Sequence, residues 1–333
     1  MLTVLENLRE TMKADGHPDR FVNQWEFVEI ILPTNYYMGD YPFEPGGEGY
    51  DQYGVLWRFP EGQMGAFPVH DAEHKLMDDV TEWREKLTHM PIAPPPEAQE
   101  YWGMLNGWAA KVDPENCLAA AFHPQGLFER LHAMMGMEDT MIAMYEEPEE
   151  MHALIEFLTQ CELDYAKNIM DNVHGIKALL HHDDWGSAKN SFLSPEMFDE
   201  FLTPYYKRIY GYWKERGVEI IIHHSDSYSR NLIPSMIEMG IDIWQGVFPQ
   251  NDIPELEKEY AGQITFMGEI ESRLIDLPDS TPEQIRAEVE RACRKCKGNN
   301  FIPALTSGLP ISSFPGVYDA VSAEIDRMSK ELF

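Results

Sequence analysis

The sequence predicts an α/β protein, a closed (β/α)8 barrel with an N-terminal extension and a capping loop. Three observations carry this. Short apolar runs recur with helical stretches between them: residues 176–180, 218–222, 264–267 and 301–305. Runs of this length bounded by Gly or Pro read as parallel strands covered on both faces, which need helices to connect them. Each run also ends in a polar cluster: His181-His182-Asp183-Asp184-Trp185-Gly186, His223-His224-Ser225-Asp226, Gly268-Glu269-Ile270-Glu271 and Thr306-Ser307-Gly308. Carboxyl ends of parallel strands are where α/β proteins place their chemistry. Finally, a chain of 333 residues with seven or eight such strands favours a closed barrel over an open doubly wound sheet. One barrel domain over residues 1–333 is expected, residues 1–115 carrying the extension and the cap.

The elements follow in order. Residues 3–14 read as a short helix stopped by Asp15-Gly16-His17-Pro18, and residues 25–32 as a first strand stopped by Pro33. From Asn35 to Tyr53 a segment holds Tyr36, Tyr37, Tyr41, Phe43, Tyr50 and Tyr53 among glycines and prolines. A loop so rich in aromatics is expected to be ordered and to cap a pocket. Residues 55–59 read as a strand or half of a hairpin and residues 71–87 as a helix, before the stiff connection Pro91-Ile92-Ala93-Pro94-Pro95-Pro96. Residues 116–123 form a further strand, with helices over 125–135 and 147–172, the second opened by acidic residues that suit its dipole. Helices over 195–215, 228–239, 252–260, 281–297 and 317–332 complete the alternation.

Composition narrows the function. Formal net charge is −31, from 57 acidic against 26 basic residues, a field that repels nucleic acid and anionic membranes. No apolar run approaches the roughly eighteen residues of a bilayer span, and the amino terminus lacks a basic segment followed by an apolar one, so a cytoplasmic protein is expected. Four scattered cysteines, Cys117, Cys161, Cys293 and Cys296, do not make a disulfide framework. Cys293-Arg294-Lys295-Cys296 is a lone CxxC in a basic helix and carries no metal reading. No glycine-rich phosphate fingerprint follows any strand, which removes support for a dinucleotide.

Alternation along a strand gives His182 and Asp184 one direction and His181 and Asp183 the other, and it pairs His224 with Asp226. One histidine of each pair should face the barrel mouth and the other pack under a helix. The segments Asp183-Asp184-Trp185-Gly186, Ser194-Pro195-Glu196-Met197-Phe198 with Pro204-Tyr205-Tyr206-Lys207-Arg208, and His224-Ser225-Asp226 with Leu232-Ile233-Pro234 and 237–242 together resemble the uroporphyrinogen decarboxylase superfamily, which includes corrinoid-dependent methyltransferases. The resemblance implies a (β/α)8 TIM barrel with the site at its mouth. Porphyrinogen decarboxylases hold substrate carboxylates with paired arginines near the amino terminus, whereas residues 1–60 here offer Arg9, Lys13, Arg20 and Arg58. Decarboxylation of a polycarboxylate is therefore not expected. In the thiol-methylating branch zinc sits on His-x-Cys and a later Cys; here His224 matches the histidine, but Asp226 replaces the first cysteine and Thr306-Ser307-Gly308 stands near the second.

The segments Phe67-Pro68-Val69-His70-Asp71, His181 to Gly186, Phe301-Ile302-Pro303, Gly308-Leu309-Pro310 and Phe314-Pro315-Gly316-Val317-Tyr318 look most like the first methyltransferases of O-demethylase systems. That branch moves a methyl group from an aryl methyl ether to the Co(I) corrinoid of a partner protein, and such a corrinoid protein is expected here because no Asp-x-His-x-x-Gly motif occurs. The leaving group is a phenolate, whose conjugate acid has a pKa of about 10, so its developing charge must meet an acid or a Lewis-acid metal. His182, Asp184, His224 and Asp226 are the expected catalytic groups, and His182, His224, Asp226 and Glu269 the ligands if zinc binds. Tyr36, Tyr37, Trp57, Phe67 and Trp185 are the expected walls for a methoxylated aromatic. A homodimer is the assembly kept in view. The competing readings are a methyltransferase for a methylthiol or methylamine, and a silent barrel that binds a tetrapyrrole or corrinoid protein.

Overall fold

The computed structural model describes residues 1–32, 38–63, 65–87 and 98–333. Its strands among these residues are β1 (Val28–Ile31), β2 (Glu48–Tyr50), β3 (Leu56–Arg58), β4 (Phe67–Pro68), β5 (Leu118–His123), β6 (Ile176–His182), β7 (Ile220–His224), β8 (Ile243–Val247), β9 (Thr265–Ile270) and β10 (Phe301–Leu305). Seven of them form one parallel sheet in the order β1-β5-β6-β7-β8-β9-β10. The sheet curls until its two edges meet at Gln24. This residue, just ahead of β1, donates its backbone N–H to Pro303 O at 3.2 Å, and its side-chain oxygen accepts from Leu305 N at 3.3 Å. The barrel-like α/β architecture expected from the sequence is the one found.

Strand alternation makes two cores. Val28, Ile30, Leu118, Ala120, Phe122, Ala178, Leu180, Ile220, Ile222, Ile243, Met267, Ile302 and Ala304 pack inside the curl. Ala119, Ala121, Leu179, Ile221, Trp244, Phe266, Phe301 and Leu305 point outward, into the larger core beneath the helices. Parallel strands buried on both faces read as continuous apolar runs, which is why these segments show no polar period.

The helices depart from expectation in places. Residues 71–79 are turns, and only a 3-10 turn Val80–Glu82 and a helix Trp83–Leu87 follow, because Asp71 and Asp79 turn their carboxylates onto nearby backbone amides. The stretch 195–215 divides into Pro195–Phe201 and Thr203–Glu215, with Pro204 at the second start. Helices Gln99–Ala109 and Met137–Glu146 were not anticipated.

β2, β3 and β4 form a separate antiparallel sheet. Asp51 ties it to the barrel: Oδ1 accepts from the amides of Tyr53 and Val55, and Oδ2 from Trp57 Nε1 at 3.0 Å and from Arg130 Nη1 at 2.5 Å. Arg130 belongs to the helix Leu127–Met135 and lies over the Tyr53 ring.

Candidate functional site

β6 and β7 run in register, with His181 beside His223 and His182 beside His224. Alternation then sorts the four imidazoles. His182 and His224 continue the inward rows that contain Leu180 and Ile222, and their ring centroids lie 4.4 Å apart. His181 and His223 face the helices and stack at 5.8 Å. Phe122 meets His182 edge-on from β5.

The hydrogen bonds around His224 set its tautomer. Gln245, at the same level on β8, donates its side-chain NH2 to Leu305 O at 3.2 Å and Ser307 O at 3.0 Å. Its Oε1 is thereby turned to His224 Nδ1, 2.5 Å away, and as an acceptor it requires the proton on Nδ1. Nε2 faces Asp184 Oδ1 at 3.9 Å. His182 is the reverse case: Nε2 donates to Gly308 O at 2.9 Å, leaving Nδ1 as its free nitrogen. Burial, and next the adjacent His224, hold His182 well below the ordinary histidine range, so it is neutral.

Asp184 and Asp226 close the cluster. Asp226 donates its backbone N–H to Asp184 Oδ1 at 3.1 Å, and Asp184, His224 and Asp226 each present a ligand atom within 4.8 Å of the others. Burial pushes the Asp226 carboxyl up to about 8, and the like charge of Asp184 adds to it, against the pull of Arg273. Glu129 is raised well above the usual carboxylate range by burial and then by Asp184 and Asp183. The cluster thus lacks positive charge, and either a proton or a cation would supply it.

Two glycines make the geometry fit. A Cβ on Gly308 would stand 2.6 Å from His182 Cε1 and 2.9 Å from His224, so any side chain there would push into both imidazoles. A Cβ on Gly126 would meet Tyr206 Oη at 2.2 Å and Asp183 Cβ at 2.6 Å. Asp183 is wholly buried and serves as the N-terminal cap of the helix Leu127–Met135, accepting from Phe128 N and Glu129 N as well as from Trp185 Nε1 and Tyr206 Oη. That helix brings Glu129 to the mouth.

Several expected site residues are placed elsewhere. Glu269 does not join the cluster. Strict alternation would send it inward with Met267, but the register shifts at Gly246, Gly268 has φ 150° and Glu269 itself φ 67°. Its side chain turns outward, where Oε1 binds Arg291 at 2.7 Å and Lys295 at 3.0 Å. As a zinc ligand it is corrected. His182 sits against the cluster, but the triad whose ligand atoms lie within 4.8 Å of one another is Asp184, His224 and Asp226. Trp185 is not a pocket wall: it is fully buried on the helix side, stacked on His223 at 3.8 Å and packed against Phe198. Trp57 is buried inside the cap sheet against Tyr41, whereas Phe67 is exposed on the edge strand β4. Tyr36 and Tyr37 lie outside the described residues. Glu271 is buried and forms a bidentate pair with Arg273. Cys293 and Cys296 are buried free thiols held in the protonated form by that burial.

Sequence reasoning missed Gln245, Glu129 and Gly308. Gln245 stands at a strand end, level with His182 and His224, and the alternation argument would have found it had β8 been placed. The donor set of one imidazole with a defined tautomer and two carboxylates suits a divalent ion such as zinc with an open position, and Asp226, protonated at neutral pH, would give up its proton to it.

Residues 125–327 match the family model described as Uroporphyrinogen decarboxylase (URO-D), more than half of the chain. The uroporphyrinogen decarboxylase of Synechococcus sp. (strain CC9605) is 25% identical over 189 residues, 56% of this chain and 51% of that protein. The one from Chlorobaculum parvum (strain DSM 263 / NCIMB 8327) is 25% identical over 164 residues, 47% of this chain and 44% of that protein. The chain spans about half the length of the curated relatives it matches. Among solved structures, a methyltransferase from Methanosarcina mazei superposes with a TM-score of 0.62 at 14% identity, covering 98% of this chain and 99% of that one, a likeness of fold. The chain belongs to the uroporphyrinogen decarboxylase family.

Proposed function

We propose that this member of the family is a methyltransferase that takes the methyl group of a methoxylated aromatic and passes it to the Co(I) corrinoid of a partner protein. The observation that carries the reading is the Asp184-His224-Asp226 cluster at the mouth, with Asp226 pushed up to about 8. An aryl ether releases its methyl carbon as the C–O bond breaks, the electron pair staying on oxygen. The developing phenolate needs a proton or a positive charge close by, and a carboxyl still protonated at neutral pH can supply the proton. Burial, and next the charge of Asp184, keep that proton on Asp226, and Gln245 keeps His224 Nε2 turned toward the pair. If a divalent ion such as zinc binds, Asp184, His224 and Asp226 would hold it, and it would polarise the ether oxygen as a Lewis acid.

The basic residues support methyl transfer over porphyrinogen decarboxylation. Arg9 pairs with Glu219, Lys13 with Glu10, Arg20 with Glu26 and Arg58 with Glu48. At the mouth Arg273 is bound to Glu271, and Glu129, Asp184 and Asp226 face one another. A substrate with several carboxylates would meet repulsion there. The test is anaerobic incubation with an aryl methyl ether and Co(I) cobalamin, read as phenol release and formation of methylcobalamin. Methyl transfer that Asp226→Ala lowers at least about a hundredfold agrees with the loss of a general acid. No transfer from any aryl ether, with transfer from a methylthiol or methylamine, would move the function to another donor.

A further inference from the structure

On the helix side of the barrel wall, behind the mouth cluster, His123, Glu162 and His181 form a second constellation. His123 ends β5, His181 lies near the end of β6, and Glu162 reaches them from the helix Pro148–Asn172. Glu162 Oε2 lies 2.9 Å from His181 Nε2, and the two imidazoles stack in parallel with centroids 4.8 Å apart. His181 is 0% exposed and Glu162 5%, and the three residues each present a ligand atom within 4.8 Å of the others.

Two features separate this group from an ordinary polar network in a core. Nδ1 of His123 and Nδ1 of His181 are both buried with no hydrogen-bond partner among the described residues. An unpaired buried polar atom is costly, so each of them calls for an explanation. A cavity of about 20 Å³ also opens against His123, walled by Gln52, Tyr53, Pro124, Arg130, Cys161 and Tyr165, beside the group rather than between its three side chains. That is room for one water at the edge of the group. Arg130 donates to Asp51, and its charge favours the Glu162 carboxylate only as a lesser effect that does not offset burial. Burial keeps the His123 and His181 imidazoles neutral, at about 4 and about 3, and so able to donate lone pairs, while it pushes Glu162 up to about 7, where a cation could displace the proton.

We propose that His123, Glu162 and His181 form a buried divalent-cation site, of the imidazole and carboxylate type that accepts zinc, distinct from the cluster at the mouth. A cation there would pin the helix Pro148–Asn172 to β5 and β6. Because His181 immediately precedes His182, it would also stiffen the strand that sets the catalytic face.

The test uses the full-length Asp184→Asn/Asp226→Asn variant, which lacks the carboxylates of the mouth, in equilibrium dialysis against Zn2+ and in titration with Co2+. The proposal expects about one bound equivalent in this background, and a loss of affinity of about tenfold or more when Glu162→Gln or His123→Ala is added. Glu162→Gln preserves size and the hydrogen bond to His181, and near-UV circular dichroism checks that each variant is folded. Should both added changes unfold the chain, X-ray absorption at the zinc edge of the double variant decides: imidazole and carboxylate scattering supports the site, and aquo zinc overturns it. A double variant that binds no metal, or one whose binding is unchanged by Glu162→Gln, also overturns it. Neither result touches the methyltransferase reading, which is scored by phenol release.

Discussion

Asp226 decides the charge of the mouth, and its environment makes its role measurable. An acid whose folded pKa lies above its unfolded value binds its proton more tightly when folded. Its contribution to stability is therefore complete below about pH 4 and is lost as pH rises through about 8. Asp226→Asn should accordingly leave stability near wild type at pH 4 and raise it at pH 9 by about 1–3 kcal/mol, read by chemical denaturation. Zinc binding at pH 7 should release about one proton, seen by calorimetry in buffers of different ionisation enthalpy. Gln245→Leu should weaken zinc about 10- to 100-fold by freeing the His224 tautomer, while Gln245→Glu, which keeps an acceptor on Nδ1, should recover part of it. His224, Asp184 and Asp226 were legible in the sequence because they end apolar runs. Which histidine of each pair faces inward was not, since alternation fixes relative directions and only the curl of the sheet says which one is inside.

At the scale of elements, the strands that carry the chemistry were readable and the breaks in their regularity were not. β6 and β7 keep strict alternation, so His182 and His224 meet as the two-residue period requires. β9 does not, and Glu269 leaves the site through a left-handed turn that no apolar pattern signals. Trp185 was misplaced for a related reason: the loop after β6 folds back, and Asp183 draws the indole N–H to the helix side. The loop after β10 is as constrained as the strands. Gly308→Ala should cost about 1–3 kcal/mol in stability and should disturb both imidazoles, since backbone and rings must move apart. A thermal melt and the zinc affinity of this variant check the two halves of that expectation, and an unshifted melt with unchanged affinity would show that the loop yields freely.

Across the whole molecule, the barrel-like fold was legible from six apolar runs and their spacing, β8 not being placed, whereas the cap sheet was not, because its strands are short and it is tied to the barrel through the carboxylate of Asp51. The net charge of −31 is carried into the mouth itself, where carboxylates outnumber free cations. That distribution favours a neutral aromatic ether over a polyanion. The measurement that tests this most directly is anaerobic single-turnover transfer from an aryl methyl ether to Co(I) cobalamin without added metal, followed from pH 6 to pH 9. The account predicts phenol and methylcobalamin in equal amounts, a rate that falls as pH rises through about 8 with the deprotonation of Asp226, and loss of that profile in Asp226→Asn. Decarboxylation of a porphyrinogen without any methyl transfer, or transfer that Asp226→Asn leaves intact, would contradict it.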